Sequence, residues 1–287
     1  MSKPTLAVVS ANSQYPQMVS PSGITYSVET ISPDKAKKWL AHNTDNRKFR
    51  RRVAEKYCRD VKAGAWIENG EAIRFAKDGT LLDGQHRLWA IAHGGRSVVV
   101  LIVRGLSNGA QDTMDDLAKR TLADTFNFHG VGSAHSAASI VRRVLMWENG
   151  VLTNAGGFQP TKAEALEALR GDHSIAVAID AAGKMKQRRL VPPTIIGLTW
   201  WIFWNIDEDD CEIFWHALHT GESLTTDSPI YIVREQIARH VARDGRVAET
   251  ALLAWVIKAW NHTRDGKSLS PNYKYSLKAS ERIPEAK

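Results

Sequence analysis

Cysteine is nearly absent from this chain of 287 residues: only Cys58 and Cys211 occur, far apart and with no C-x-x-C pair. That excludes a disulfide framework and makes a reducing cytoplasm the expected setting. Long apolar runs are missing too. The longest, Ile195 to Ile206, is interrupted by Gly197, Thr199 and Asn205 and is too short to span a bilayer, so no membrane partner is expected. The first residues lack the charged start, apolar stretch and small-residue cleavage site of a signal peptide. Met1 to Tyr26, rich in Ser, Pro, Gln and Asn, is expected to be a loosely ordered arm. No Walker loop, hydrolytic triad or zinc framework is found, and no internal repeat or coiled-coil heptad run. Acidic residues are the minority, 31 Asp and Glu against 38 Lys and Arg, and the net charge of +7 is compatible with a nucleic-acid partner.

What is present is organised around Ile73 to Val103. Ile73 to Phe75 is a short apolar strand, Asp78-Gly79 a tight-turn pair and Thr80 to Leu82 a second strand, so a hairpin is expected. From Gln85 the apolar positions shift to Leu88, Ile91 and Ala92, which is helical spacing, and Gly94-Gly95 ends that helix. Val98 to Val103 is apolar at every residue, as expected of a strand buried on both faces. Between strand and helix stands the box Asp83, Gly84, Gln85, His86, Arg87. Gly84 lets a backbone approach closely, and the first helical turn offers unpaired N–H groups. With His86 adding a hydrogen bond and Arg87 a fixed positive fork, the box reads as a phosphate site. The alternative reading makes Asp83 a helix cap and leaves His86 and Arg87 solvated on the outer face.

Upstream, Ser32, Pro33 and Asp34 make a helix start. The next helix is expected over about Asn46 to Lys62, with Phe49, Val53, Tyr57 and Val61 at spacing four facing a core. Its other face carries Arg47, Lys48, Arg50, Arg51, Arg52, Lys56, Arg59 and Lys62 against only Glu55 and Asp60. This is the densest basic surface in the chain, and it reads either as a holder of DNA phosphates or as a solvated helix face. Glu68 or Glu71 would sit near the Asp83 loop if the strands pair, as candidates to hold a divalent ion or act as a base, or simply as loop solubilisers.

The order helix, basic helix, strand, Asp-Gly turn, strand, DGQHR, helix, strand resembles the N-terminal domain of the ParB/sulfiredoxin superfamily over roughly residues 27 to 105. The corresponding box resembles G-E-R-R in ParB and G-C-H-R in sulfiredoxin, where it contacts nucleotide phosphates. The resemblance implies Gly84, His86 and Arg87 as phosphate contacts, with Gln85 where sulfiredoxin has its reactive cysteine, which argues against peroxide repair. DGQHR wording is also similar to that of ParB-like phage and DNA-modification-associated proteins. The expectation is therefore a DNA-associated, nucleotide-binding protein of a bacterium or phage, with ATP or CTP and Mg²⁺ at Gly84, Gln85, His86 and Arg87 and DNA along the basic helix. A second copy of the chain is a further expected partner. Two alternatives stay open: a nuclease in which Asp83 and Glu71 hold a metal and are catalytic, and a non-enzymatic DNA-binding regulator whose box is structural.

After Val103 strands give way to helical periods up to about Asn261. With 43% hydrophobic residues the chain can bury one large core or two modest ones, and this change of pattern argues for two. The expected fold is α+β: an arm over 1–26, a small ParB/sulfiredoxin-like domain over 27–105, an all-helical domain over 106–262 and a basic tail over 263–287. Within the helical part, Asp115, Asp116 and Arg120 are polar candidates beside the box if that segment folds back. Two short helices from Thr161 to Ala182 with Lys184, Lys186, Arg188 and Arg189 beyond them suggest a helix-turn-helix or an ordinary helical hairpin. Trp200, Trp201, Phe203 and Trp204 suggest base stacking or a buried helix, and Cys211, His216 and His219 an incomplete zinc set. The tail, with Arg264, Lys267, Lys274, Lys278 and Arg282 among Tyr273 and Tyr275, reads as flexible padding or a nucleic-acid contact.

Overall fold

Asp78 and Gly79 set the first piece of structure. Gly79 takes a positive φ of 89°, and the Asp78 side chain accepts the Thr80 N–H at 2.9 Å. The chain therefore reverses there, and strand β4 (Ile73–Ala76) pairs antiparallel with β5 (Leu81–Asp83). The computed structural model describes residues 7–8, 17–43, 49–114, 121–153, 158–185, 190–278 and 280–287. The fold is mixed α and β and mostly helical, and it divides into Met1–Lys119 and Arg120–Lys287.

In the first unit β6 (Val98–Leu106) lies in the middle of the sheet, parallel to β4 on one side and antiparallel to β3 (Thr25–Ile31) on the other. Helix α3 (Gln85–Gly94) supplies the crossover that a parallel pair requires. Two-residue strands β1 (Ala7–Val8) and β2 (Met18–Val19) extend the edge, giving the order β1-β2-β3-β6-β4-β5. Helix α1 (Pro33–Leu40) starts where Ser32 Oγ accepts the Lys35 N–H, and α2 (Arg51–Ala63) ends at Gly64 in the left-handed region. Gly94 allows α3 to close on Val61 of α2, since a side chain there would collide with the valine. The core is Ile31, Val61, Ile73, Phe75, Leu81, Leu88, Ile91, Val100 and Ile102 with their neighbours.

Three expectations change here. Part of the expected arm over 1–26 is sheet: Met18 pairs with Tyr26 and Val19 with Thr25. Strand β3 was not anticipated, although Thr-Tyr-Ser-Val-Glu-Thr-Ile is rich in β-branched residues; it binds β6 along its whole length. The basic helix starts at Arg51 and not near Asn46. Arg50 is its extended N-cap, and Phe49 lies off the helix, exposed, and outside the core stripe.

The regular elements of the second unit's described residues are all helices: α4 (Leu122–Phe128), α5 (Ala134–Glu148), α6 (Lys162–Gly171), α7 (His173–Lys184), α8 (Pro193–Trp204), α9 (Glu208–Thr220), α10 (Pro229–Asp244) and α11 (Glu249–Arg264). Helix α8 is its axis. Phe203 stacks on Trp260 at 4.2 Å with planes 7° apart, Trp200 stacks on Trp215, and Gly197 lets α5 bring Ile140 against the α8 backbone. The aromatic run is thus core, as its all-round apolarity suggested. The tail, expected as flexible padding, is bound down. Tyr275 is buried and exchanges two backbone hydrogen bonds of 2.8 Å with the Gln236 amide, and its hydroxyl donates to Pro229 O. Trp260 Nε1 donates to Lys287 O, and the Asn261 side chain bonds Glu285 and Lys287. No described helix is long and apolar enough to cross a membrane.

Candidate nucleic-acid interface

The corner between β5 and α3 gathers Asp83 and Arg87 of the predicted box, with Arg74, into one ion-pair cluster. Asp83 Oδ2 accepts from Arg74 Nη1 at 2.6 Å and from Arg87 Nη2 at 2.8 Å, while Asp83 Oδ1 accepts the Gly84 N–H at 2.7 Å. Arg87 also lies 3.5 Å from Glu71 Oε2 and is only 12% exposed. Gly84 has φ 108°, and a Cβ on it would stand 3.0 Å from Ile73 Cγ1, so both conformation and space call for glycine. The glycine is required by packing against the strand, which differs from the expected reason of ligand approach.

His86 and Gln85 are not on the outer face. His86 is 6% exposed and its Nε2 accepts the Arg50 N–H at 2.9 Å; Gln85 is 3% exposed and its Oε1 accepts from Asn43 Nδ2 at 3.1 Å. A ring nitrogen that accepts carries no proton, so a neutral imidazole here bears its hydrogen on Nδ1. The expectation that His86 and Arg87 together face a phosphate is therefore corrected in its geometry: the imidazole points to the start of α2, and the guanidinium is held by Asp83 and Glu71. The signal was in the sequence. Leu88-Trp89-Ala90-Ile91-Ala92 marks α3 as enclosed on nearly all sides, and polar groups at the start of an enclosed helix must find internal partners.

The metal expectation for Asp83 and Glu71 meets the wrong electrostatics. Both guanidiniums already converge on the oxygen a cation would need, and Glu71 is exposed and 3.5 Å from the Arg87 guanidinium. No group of three His, Cys, Asp or Glu able to hold a metal occurs among the described residues, which also removes the Cys211, His216 and His219 set. Cys211 is buried against Trp200 O, and burial pushes its thiol upward, away from the thiolate that would bind metal.

The basic surface survives at the start of α2. Arg50, Arg51 and Arg52 are all exposed, and the first turn holds no acidic residue and no side-chain cap. Arg51 pairs with Glu55 at 2.9 Å, in the weaker order with the base N-terminal to the acid. Lys56 and Arg59 are half-buried on the same helix, each engaged with neighbours. Arg47 and Lys48 lie outside the described residues, as do Asp115, Asp116, Arg120, Lys186, Arg188 and Arg189. Lys184 is paired with Asp180. Cations at the positive end of a helix dipole are placed against the electrostatic preference, by roughly 0.3–1 kcal/mol each when exposed. Compared with known proteins, the chain matches no family model, no curated protein and no solved structure.

Proposed function

We propose that the chain is a DNA-associated, ParB-like protein that grips the sugar-phosphate backbone with the N-terminal end of α2, without being an enzyme at that site. The observation that carries this reading is the exposed Arg50-Arg51-Arg52 run on a helix end whose first turn holds no acidic residue, with Glu55 answering Arg51 from the next turn. The DGQHR box then acts as a bracket: His86 holds the Arg50 backbone, and the Arg74, Asp83, Arg87 cluster fixes the corner from which α3 presents His86. A cytoplasmic setting accords with two free, buried cysteines, and a second copy of the chain is the partner that the ParB-like reading brings with it. The test is duplex binding by fluorescence anisotropy with wild type and Arg51→Glu/Arg52→Glu. The reading expects affinity to collapse in the variant while the melting temperature holds; equal affinity would defeat it.

One observation favours a second reading. Arg74 and Arg87 converge on a single oxygen, as two guanidiniums do on a phosphate. A nucleoside triphosphate such as ATP or CTP would have to displace the Asp83 carboxylate to use them. The Asp83 carboxylate, held by two guanidiniums, does not fit a Mg²⁺ ion. A melting-temperature rise with nucleotide that Arg87→Gln abolishes would establish this reading; no shift with either nucleotide at millimolar concentration would end it.

A further inference from the structure

Phe49 is an aromatic ring left outside the core at the edge of the basic surface. It is 38% exposed, although it belongs to a residue type that is usually buried. One side of the ring rests on the His86 imidazole, with centroids 5.1 Å apart and planes 12° from parallel, and Trp89 stands 6.0 Å away at a tilt. Trp89 in turn stacks on the exposed His93 at 4.1 Å. The same imidazole accepts the Arg50 N–H, so a single buried side chain fixes both the ring and the first residue of the arginine run. A flat apolar surface is thereby held within three residues of Arg51 and Arg52.

We propose that Phe49 is a stacking platform for an unpaired base whose flanking phosphates are held by Arg51 and Arg52, so that the preferred ligand is a single nucleic-acid strand. This rests on the DNA-binding reading and adds the state of the strand. Charge complementarity selects the occupant: a ring bordered by exposed guanidiniums suits a ligand that is aromatic and anionic within one repeat, which a nucleotide is. An intact duplex keeps its bases stacked on one another and offers this ring no face.

The full chain is titrated into labelled oligothymidine and into a duplex, with wild type, Phe49→Leu, Phe49→Trp and Arg51→Gln/Arg52→Gln. Loss of one base stack predicts that Phe49→Leu weakens oligothymidine binding on the order of tenfold, leaves duplex binding within about twofold, and that Phe49→Trp keeps wild-type affinity. The arginine pair weakens both. If Phe49→Leu binds oligothymidine like wild type, or weakens both ligands equally, the platform is overturned while the DNA reading stands. If Phe49→Leu melts early, the Trp variant decides, since a larger ring that binds the single strand more weakly also overturns the platform. A wild type that binds neither ligand overturns both.

Discussion

The two units differ in what their best-defined polar groups do. In the helical unit several of them hold the chain to itself. Gln236 and Asn261 clamp the tail, Asp172 accepts from the Trp201 indole at 2.8 Å, and Arg143, 1% exposed, lies 3.1 Å from Glu249. In the N-terminal unit a few polar residues at the β5–α3 corner do the same, but the adjoining helix leaves three arginines at its positive end facing water. Under the proposed function it is this end of α2, with no acidic residue in its first turn, that recognises an anion.

The largest break in this comparison comes from the helical core. Trp260→Ala removes the ring stacked on Phe203 and the donor to Lys287 O, and should cost about 3–5 kcal/mol in urea unfolding of that unit. Duplex affinity measured well below the melting transition should not change, because the α2 end belongs to the other unit. Next, Glu249→Ala leaves the Arg143 guanidinium buried without its carboxylate, for a loss of about 3 kcal/mol. The same exchange at the exposed Glu55 beside Arg51 should cost only a few tenths. Gly84→Ala forces a side chain into φ 108° against Ile73 and should destabilise the N-terminal unit by about 1–3 kcal/mol in thermal melts.

The smallest effect sharpens the comparison through pH. Burial pushes the Glu29 carboxyl up, but hydrogen bonds from Lys35 and Ser27 and the charges of Lys35 and Arg104 outweigh it, and the net shift is downward. A carboxyl lowered on folding stabilises above its unfolded value and loses that contribution as pH falls through its folded value. Glu29→Gln should therefore cost up to about 1 kcal/mol at neutral pH, and the difference from wild type should fade as pH falls from the ordinary glutamate value of about 4.3 through the lowered folded one. A difference that persists at low pH would assign the effect to packing.

Much of the N-terminal unit was legible because its signals are local. Asp78-Gly79 fixes the hairpin, Ser32-Pro33 the start of α1, and Gly94-Gly95 the end of α3, and all three stand where expected. The all-apolar turn of α8 marked a core helix. Strand β3 was missed because its pairing partner β6 lies some seventy residues away and its own faces are only half-buried, so alternation was weak. The tail was missed for a similar reason: the Gln236 side-chain amide meets the Tyr275 backbone through hydrogen bonds that no spacing rule encodes. At the candidate site the residue types were legible, and their directions only through the apolar run of α3 from Leu88 to Ala92. Asp83, His86 and Arg87 read as a ligand-facing set, whereas the enclosure of α3 turns them toward Arg74, the Arg50 N–H and Glu71.

Under the proposed function, anion recognition belongs to the exposed end of α2 and not to the DGQHR cluster behind it. The direct measurement is the dependence of duplex affinity on salt for wild type, Arg51→Gln/Arg52→Gln and Arg87→Gln, each checked for a folded melting profile. The account predicts that the first variant flattens the slope of log affinity against log salt by about 2, as expected for two lost phosphate contacts, and that Arg87→Gln keeps the wild-type slope. A flattened slope for Arg87→Gln with an unchanged slope for the Arg51 and Arg52 pair would contradict it.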